Sequence, residues 1–198
     1  MIVLKSSEGE DTQKRYRIID AHCHIYPQKI AAKAVAAIGN FYDIKMSEDG
    51  TADSLIREGR EIGVEKYFVH STATTVHQVR SINDYIFGEM LLHPEFVGFM
   101  TLHNEMTEEA IEEEVALALS RGMKGVKLHP DFQKFNIDDA ENIYRVTKGR
   151  LPVSFTWGTS VTTFLRPNGF AAWRKSIPSR SLSARISADI PFGIRWSA

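Results

Sequence analysis

The sequence predicts an α/β fold of the (β/α)8 TIM-barrel type, of which only about the first half is recognisable. Three observations carry this expectation. Short β-branched, apolar runs alternate with amphipathic helical runs, the pattern of βαβ units around a parallel sheet. The strand-like runs begin near residues 17, 66, 96, 124 and 151, and the last three steps are about 30 residues each, close to the repeat of a barrel of roughly 250 residues. Histidines fall where those runs end, at His22, His24, His70, His103 and His129. In such a barrel the C-terminal strand ends form the active-site face. An open doubly wound sheet is the rival architecture, but no Gly-rich phosphate loop follows the first strand.

The elements follow in order. The first sixteen residues are mostly polar and read as a loose arm. "RIIDAHCHI" reads as a strand. "PQKIAAKAVAAIGNF" reads as a helix, with Pro27 near its first turn and Gly39 near its end. Residues 51–63 read as a second helix closing at Gly63, and "EKYFVHS" as the next strand. Val79, Ile82, Ile86 and Met90 recur at helical spacing and stop before Pro94. "FVGFMTLH" is a strand. "TEEAIEEEVALALSRG" is a helix with acids toward its N-terminal end and Arg121 and Gly122 closing it, as dipole and C-cap rules favour. Its acidic run is expected to be a solvated face. "KGVKLH" is a strand, "DDAENIYRVTKG" a helix and "LPVSF" a further strand.

The chain changes character near residue 150. Residues 1–150 hold 24 of the 25 acidic residues and all seven histidines. Residues 151–198 hold one acid, Asp189, against six Lys and Arg, together with eight serines. "RKSIPSRSLSARIS" has neither helical nor strand periodicity. The simplest reading is a basic disordered tail, yet Trp157, Phe164, Phe170, Trp173, Phe192 and Trp196 are unusual in one. Two segments are therefore expected, 1–150 as the N-terminal half of a barrel and 151–198 as a tail of different origin.

Composition narrows the function classes. At 198 residues the chain is long enough for one domain with a real core. Hydrophobic content of 43% and charged content of 25% are ordinary for a globular protein. The net charge of −1 gives no electrostatic reason to expect nucleic acid or an anionic membrane surface as partner. A single cysteine excludes an internal disulfide and fits a reducing compartment. No apolar run is long enough to span a bilayer, and the start of the chain does not read as a signal peptide. A cytoplasmic location is expected, with a small molecule as substrate and a homo-oligomer as an open option.

The stretch "IIDAHCHIY" carries the chemistry. Successive strand residues point to opposite faces, so Asp20, His22 and His24 are expected to share one. Two neutral imidazoles on one face can clamp a metal ion. The rival reading is two histidines hydrogen-bonded at a strand end. Asp20 is expected to orient the site from behind rather than to bind metal, and Cys23, facing away, to be a packed core thiol. Lys127 and His129 share a face at the end of a later strand and are the candidate catalytic pair. His70 and His103 are candidates for the substrate rim. His77 and His93 lie in helical segments and read as structural.

The motifs "DAHCHIYP", "HSTATT", "INDYI", "HPEFVGFMTLHNE" and "GMKGVKLHPDFQKF" together resemble the amidohydrolase superfamily. Within it they are similar to the amidohydrolase-related group of metal-dependent TIM-barrel hydrolases and decarboxylases. The resemblance runs from Ile18 to about Lys148. It implies that His22 and His24 bind a catalytic divalent ion, with zinc the expected one, at roughly 2.0–2.1 Å. It further implies ligands from histidines ending strands five and six and an aspartate ending strand eight. No histidine follows His129. Residues beyond about 150, read as codons with the frame set back one base, offer a specific explanation. Positions 155–163 permit His or Tyr followed by Met-Gly-Asp-Lys-Arg-Tyr-Asp, positions 166–170 permit Pro-Glu-Arg-Leu, and positions 185–192 permit Ala-His-Phe-Gly-Gly-Tyr-Ser. Those strings look like the family's fifth and sixth strands, in order and in one frame. The tail is accordingly read as frameshifted and the barrel as truncated.

The activity implied is metal-dependent hydrolysis of an amide or ester-like bond, the ion lowering the pKa of bound water and polarising the scissile carbonyl. A decarboxylase of the same superfamily is the alternative chemistry, and a non-catalytic, pseudogene-like fragment is the alternative of a different class. With only two ligands in view, weak metal binding is expected.

Overall fold

The computed structural model describes the backbone of residues 2–5, 16–157 and 187–188, and the side chains of 17–156. The described elements are β1 (Ile2–Lys5), β2 (Tyr16–His24), α1 (Gln28–Tyr42), α2 (Ala52–Glu61), β3 (Val64–His70), α3 (Val79–Leu92), β4 (Phe96–Thr101), α4 (Glu108–Ser120), β5 (Gly125–Leu128), α5 (Pro130–Gln133), α6 (Glu141–Thr147), β6 (Val153–Trp157) and β7 (Ser187–Ala188). They build one seven-stranded sheet in chain order. From β2 to β6 every neighbouring pair is parallel, with helices between successive strands, which is a five-strand parallel half-barrel. The order of strands, their parallel sense and the intervening helices agree with the sequence expectation.

The loose arm is corrected in part. Ile2–Lys5 forms an edge strand antiparallel to the start of β2, with Ile2 opposite Ile19 and Lys5 opposite Tyr16. An apolar, β-branched stretch beside an open strand edge satisfies backbone groups that would otherwise be unpaired. At the far side, β6 lies beyond the boundary drawn at 150 and pairs in register with β5, Leu128 beside Phe155. Its outer neighbour is β7. The readings made of residues 158–186 and 189–198 lie outside the described residues.

The core forms where the sheet meets its helices. Val69, Met100, Val126 and Leu128 from the strands, and Leu102 just past β4, pack with Ile111, Val115 and Ile143 from α4 and α6, all without exposed surface. All four residues of β5 are buried, as expected of a strand covered on both faces. Close packing requires glycine at two places. A Cβ at Gly59 on α2 would lie 1.9 Å from the Tyr67 hydroxyl, and one at Gly125 would lie 2.2 Å from the Phe99 ring. Helix starts follow the expected chemistry: Thr51 Oγ1 accepts from Ser54 N and Thr107 Oγ1 accepts from Ala110 N, each at 3.3 Å.

The acidic run on α4 is solvated as expected at Glu109, Glu112 and Glu113, and one member departs from that role. Glu114 is only 6% exposed and turns inward. Its carboxylate accepts from Asn83 Nδ2 at 3.0 Å and from Arg80 Nε at 2.6 Å. Asn83 in turn accepts from Thr101 N and donates to Thr101 O. A buried charge is tolerated only when paired, and here both partners lie on α3, one of them tied in turn to β4.

Candidate metal centre

The C-terminal end of β2 is not a regular strand. Asp20 pairs with Tyr67 and Cys23 with Val69, so one extra residue is accommodated on β2 between them. This bulge interrupts the strict alternation from Asp20 to His24, and bulges re-aim side chains where they occur. Asp20 Oδ1 accepts from His22 N at 3.1 Å and so holds the distorted backbone. Cys23 is buried on the core side, and burial pushes its thiol pKa up, leaving an inert sulfur.

His22 and His24 emerge on the same side, their Nε2 atoms 3.1 Å apart. His70, the last residue of β3, is the register partner of His24. Parallel strands place register partners side by side with side chains on one face. The His70 ring centroid therefore lies 4.4 Å from that of His24 and 4.7 Å from that of His22. One ligand nitrogen from each ring lies within 4.8 Å of the others. His70, read from the sequence as a rim residue, thus sits against the pair and offers a third imidazole.

The donor set fits a divalent ion such as zinc. Three neutral imidazoles are a common zinc ligand set, and two nitrogens on a tetrahedral zinc with bonds of about 2.05 Å stand roughly 3.3 Å apart. Burial, reinforced by Lys127 and His129, lowers the His22 pKa to about 3. Burial first, and then neighbouring histidines and Lys127, push His24 and His70 well below the ordinary imidazole value. All three rings are therefore neutral and competent as ligands at pH 7. His70 Nδ1 is buried with no hydrogen-bond partner among the described residues.

The other candidates surround this group. Lys127 on β5 is 0% exposed and donates to Thr156 Oγ1 on β6. His129 follows β5 at the same end of the sheet as His24. Its Nε2 meets the Tyr42 hydroxyl at 2.9 Å, and its ring stacks on Phe132 at 3.9 Å. Burial, then Lys127, lowers its pKa to about 3. His103 is buried just past the end of β4, and its Nδ1 accepts from Glu105 N at 3.3 Å; it is not a member of the triad. His77 is exposed in a turn before α3, and His93 closes α3 at 3.4 Å from Glu89.

Sequence reasoning did not single out four further residues. Tyr42 at the end of α1 reaches His129. Thr156 partners Lys127. Gln133 accepts from His129 N and donates to Ala73 O and Leu102 O, tying together the chain just past three strand ends. Asp131 lines a cavity of about 930 Å³ beneath α1, together with His24, Tyr26, Phe41, Thr72 and Phe132. Only the "HPDFQ" string after a strand end hinted at two of these.

No protein-family model matches the chain, and no curated protein matches it. Solved structures resemble it at low identity. A probable 2-pyrone-4,6-dicarboxylic acid hydrolase from Acinetobacter baumannii, with citric acid bound, matches at 15% identity and a TM-score of 0.41, over 70% of this chain and 49% of that one. A 2,6-dihydroxybenzoate decarboxylase complexed with 2,6-dihydroxybenzoate matches at 16% identity and a TM-score of 0.49, over 81% of this chain and 53% of that one. An enolase from Bradyrhizobium, complexed with magnesium and mandelic acid, matches at 10% identity and a TM-score of 0.40, over 80% of this chain and 35% of that one. The chain spans about half or less of the length of these proteins. Among the described residues, no helix is long and apolar enough to cross a membrane.

Proposed function

We propose that this chain carries the metal-binding half of a (β/α)8-type hydrolase that acts on an amide or ester-like bond of a small molecule. The observation that carries the reading is the convergence of His22, His24 and His70 within 4.8 Å at the C-terminal ends of two adjacent parallel strands. That is the end of such a sheet where active sites are built. A divalent ion held by these three rings, zinc being the best fit to the donor set, would supply a Lewis acid that activates water and polarises a carbonyl.

The chain's own residues have distinct parts in this reading. Asp20 holds the bulge that brings His22 and His24 together. Lys127, kept in place by Thr156, is a buried hydrogen-bond donor toward the reacting region. His129 has a pKa near 3 and is neutral at pH 7. A general base works best with a pKa near the operating pH, so His129 serves as a neutral hydrogen-bonding group fixed by Tyr42 and Phe132 rather than as the base.

The test is calorimetric titration of the chelator-treated protein with zinc, combined with release assays on a panel of anilides and aryl esters. Stoichiometric zinc binding that His22→Ala or His70→Ala removes supports the reading. Zinc binding indifferent to those substitutions overturns the centre. Zinc binding with no hydrolysis by this chain, even when frame-restored, overturns the activity.

A further inference from the structure

His24 has two ring nitrogens, and a metal ion at the triad takes only one of them. Its Nε2 faces His22 Nε2 at 3.1 Å, inside the cluster of three imidazoles. Its Nδ1, on the other edge of the ring, meets the Tyr26 hydroxyl at 3.5 Å. The two rings lie 11° from parallel with centroids 6.3 Å apart. A separation that long leaves them offset rather than face to face, with the phenolic oxygen within reach of an Nδ1–H.

The segment that carries Tyr26 is fixed on two sides. Toward β3, Ile25 N donates to His70 O at 3.4 Å, and Ile25 O accepts from Ser71 Oγ at 2.6 Å. Toward the loop that follows α1, Tyr26 N donates to Gly50 O at 2.9 Å. Gly50 has a φ of +77°, and a Cβ there would lie 3.2 Å from Tyr26 Cδ2 and 2.7 Å from Val35 Cγ2. The loop closes on the tyrosine ring because residue 50 has no side chain. The same contacts that join the ends of β2 and β3 therefore also place the Tyr26 hydroxyl.

A neutral imidazole carries one proton. Binding a metal through Nε2 needs the lone pair there, so the proton must sit on Nδ1. Which nitrogen is metallated is set by the hydrogen bond that the other one makes. A hydroxyl oxygen beside Nδ1 stabilises the required tautomer and holds the ring plane. In the metal-free chain the 3.1 Å contact with His22 then takes its proton from His22. His70 Nδ1, by contrast, has no hydrogen-bond partner among the described residues.

We propose that Tyr26 is a positioning residue of the metal centre. Its hydroxyl accepts from His24 Nδ1–H, fixes that tautomer and so presents Nε2 to a divalent ion. This rests on the reading of His22, His24 and His70 as a metal site. It goes beyond that reading in giving a role to a tyrosine of the cavity wall that itself touches no ion.

The experiment uses the full chain with 15N-labelled histidine, freed of metal by a chelator and held at pH 7.5. Long-range 1H–15N correlation spectra distinguish the two neutral tautomers, and a His24→Gln protein assigns the signal. His24 is expected as the Nδ1–H tautomer. Tyr26→Phe keeps the ring and removes the hydroxyl, so it should shift His24 toward the Nε2–H form. Calorimetric titration of that variant with zinc should show affinity lower by about 10-fold or more, the usual cost of losing the outer partner of a ligand histidine. A role in packing alone would leave both the tautomer and the affinity unchanged, and either result overturns the proposal. So does an Nε2–H tautomer at His24 in the unsubstituted protein, a measurement that needs no variant to fold. Failure of the metal centre has a different signature. No zinc binding by the unsubstituted protein overturns the centre and this role with it, whereas zinc binding that His22→Ala removes and Tyr26→Phe does not weaken overturns this role alone.

Discussion

His24 and His70 are register partners on adjacent parallel strands, and their rings meet edge to face with centroids 4.4 Å apart. That single pairing converts a two-histidine motif into a three-nitrogen cluster. Two imidazoles give weak binding, whereas three approach the ligand count of a catalytic zinc site.

Zinc should therefore bind with one-to-one stoichiometry. Removing an outer-shell partner of a zinc ligand costs about 10–100-fold in affinity, so His70→Ala, which removes a ligand, should cost at least that. His103→Ala, outside the triad, should leave affinity unchanged. Calorimetry on the two variants decides the matter, and equal effects would return His70 to the rim.

Without metal, the protein should lose stability as pH falls below the ordinary imidazole value of 6.5. His22 and His129 titrate near 3 in the folded state, and His24 and His70 are also held well below 6.5. Between those values the unfolded chain binds more protons than the native one, so stability is full above pH 6.5 and declines toward pH 3. By pH 5 each such imidazole contributes a loss of ~2 kcal/mol, not additive across a coupled cluster. Urea midpoints at pH 7.5 and pH 5 measure it. A midpoint that does not move would mean these rings are not held neutral.

Asn83→Ala should destabilise by about 3 kcal/mol, because it leaves the buried N–H and C=O of Thr101 and the Glu114 carboxylate short of partners. Arg80→Ala should cost less than about 1 kcal/mol, since the Arg80 side chain is 51% exposed. Chemical denaturation of both variants tests the ranking, and the reverse order would show that the α3–α4 ion pair outweighs the Asn83 amide that ties α3 to β4 and α4.

Restoring the reading frame by one base near codon 150 should lengthen the open reading frame. It should also add histidines beyond His129 and tighten zinc binding relative to the 198-residue chain. Zinc titrations of the two proteins side by side give the answer, and equal affinities would count against the frameshift reading.

Much of this architecture was legible in the sequence because it is encoded locally. The apolar periods of residues 79–90 and the caps at Thr51 and Thr107 act within one or two turns of chain, and so did the pairing of His22 with His24. The bulge at Asp20, the inward turn of Glu114 and the reach of Tyr42 to His129 were not legible. Each depends on which residue of a distant element arrives opposite.

By itself, then, the sequence determined the order of strands and helices and the histidines that end them, since side-chain period and capping depend only on near neighbours. Tertiary structure alone decided that His70 joins His22 and His24 and that Asp131 lines the same cavity as His24. Strand register fixes the first, and the contacts of Phe41 and Tyr42 on α1 with Phe132 and His129 after β5 fix the second. Both are set by contacts between residues far apart in the chain, which no local pattern specifies.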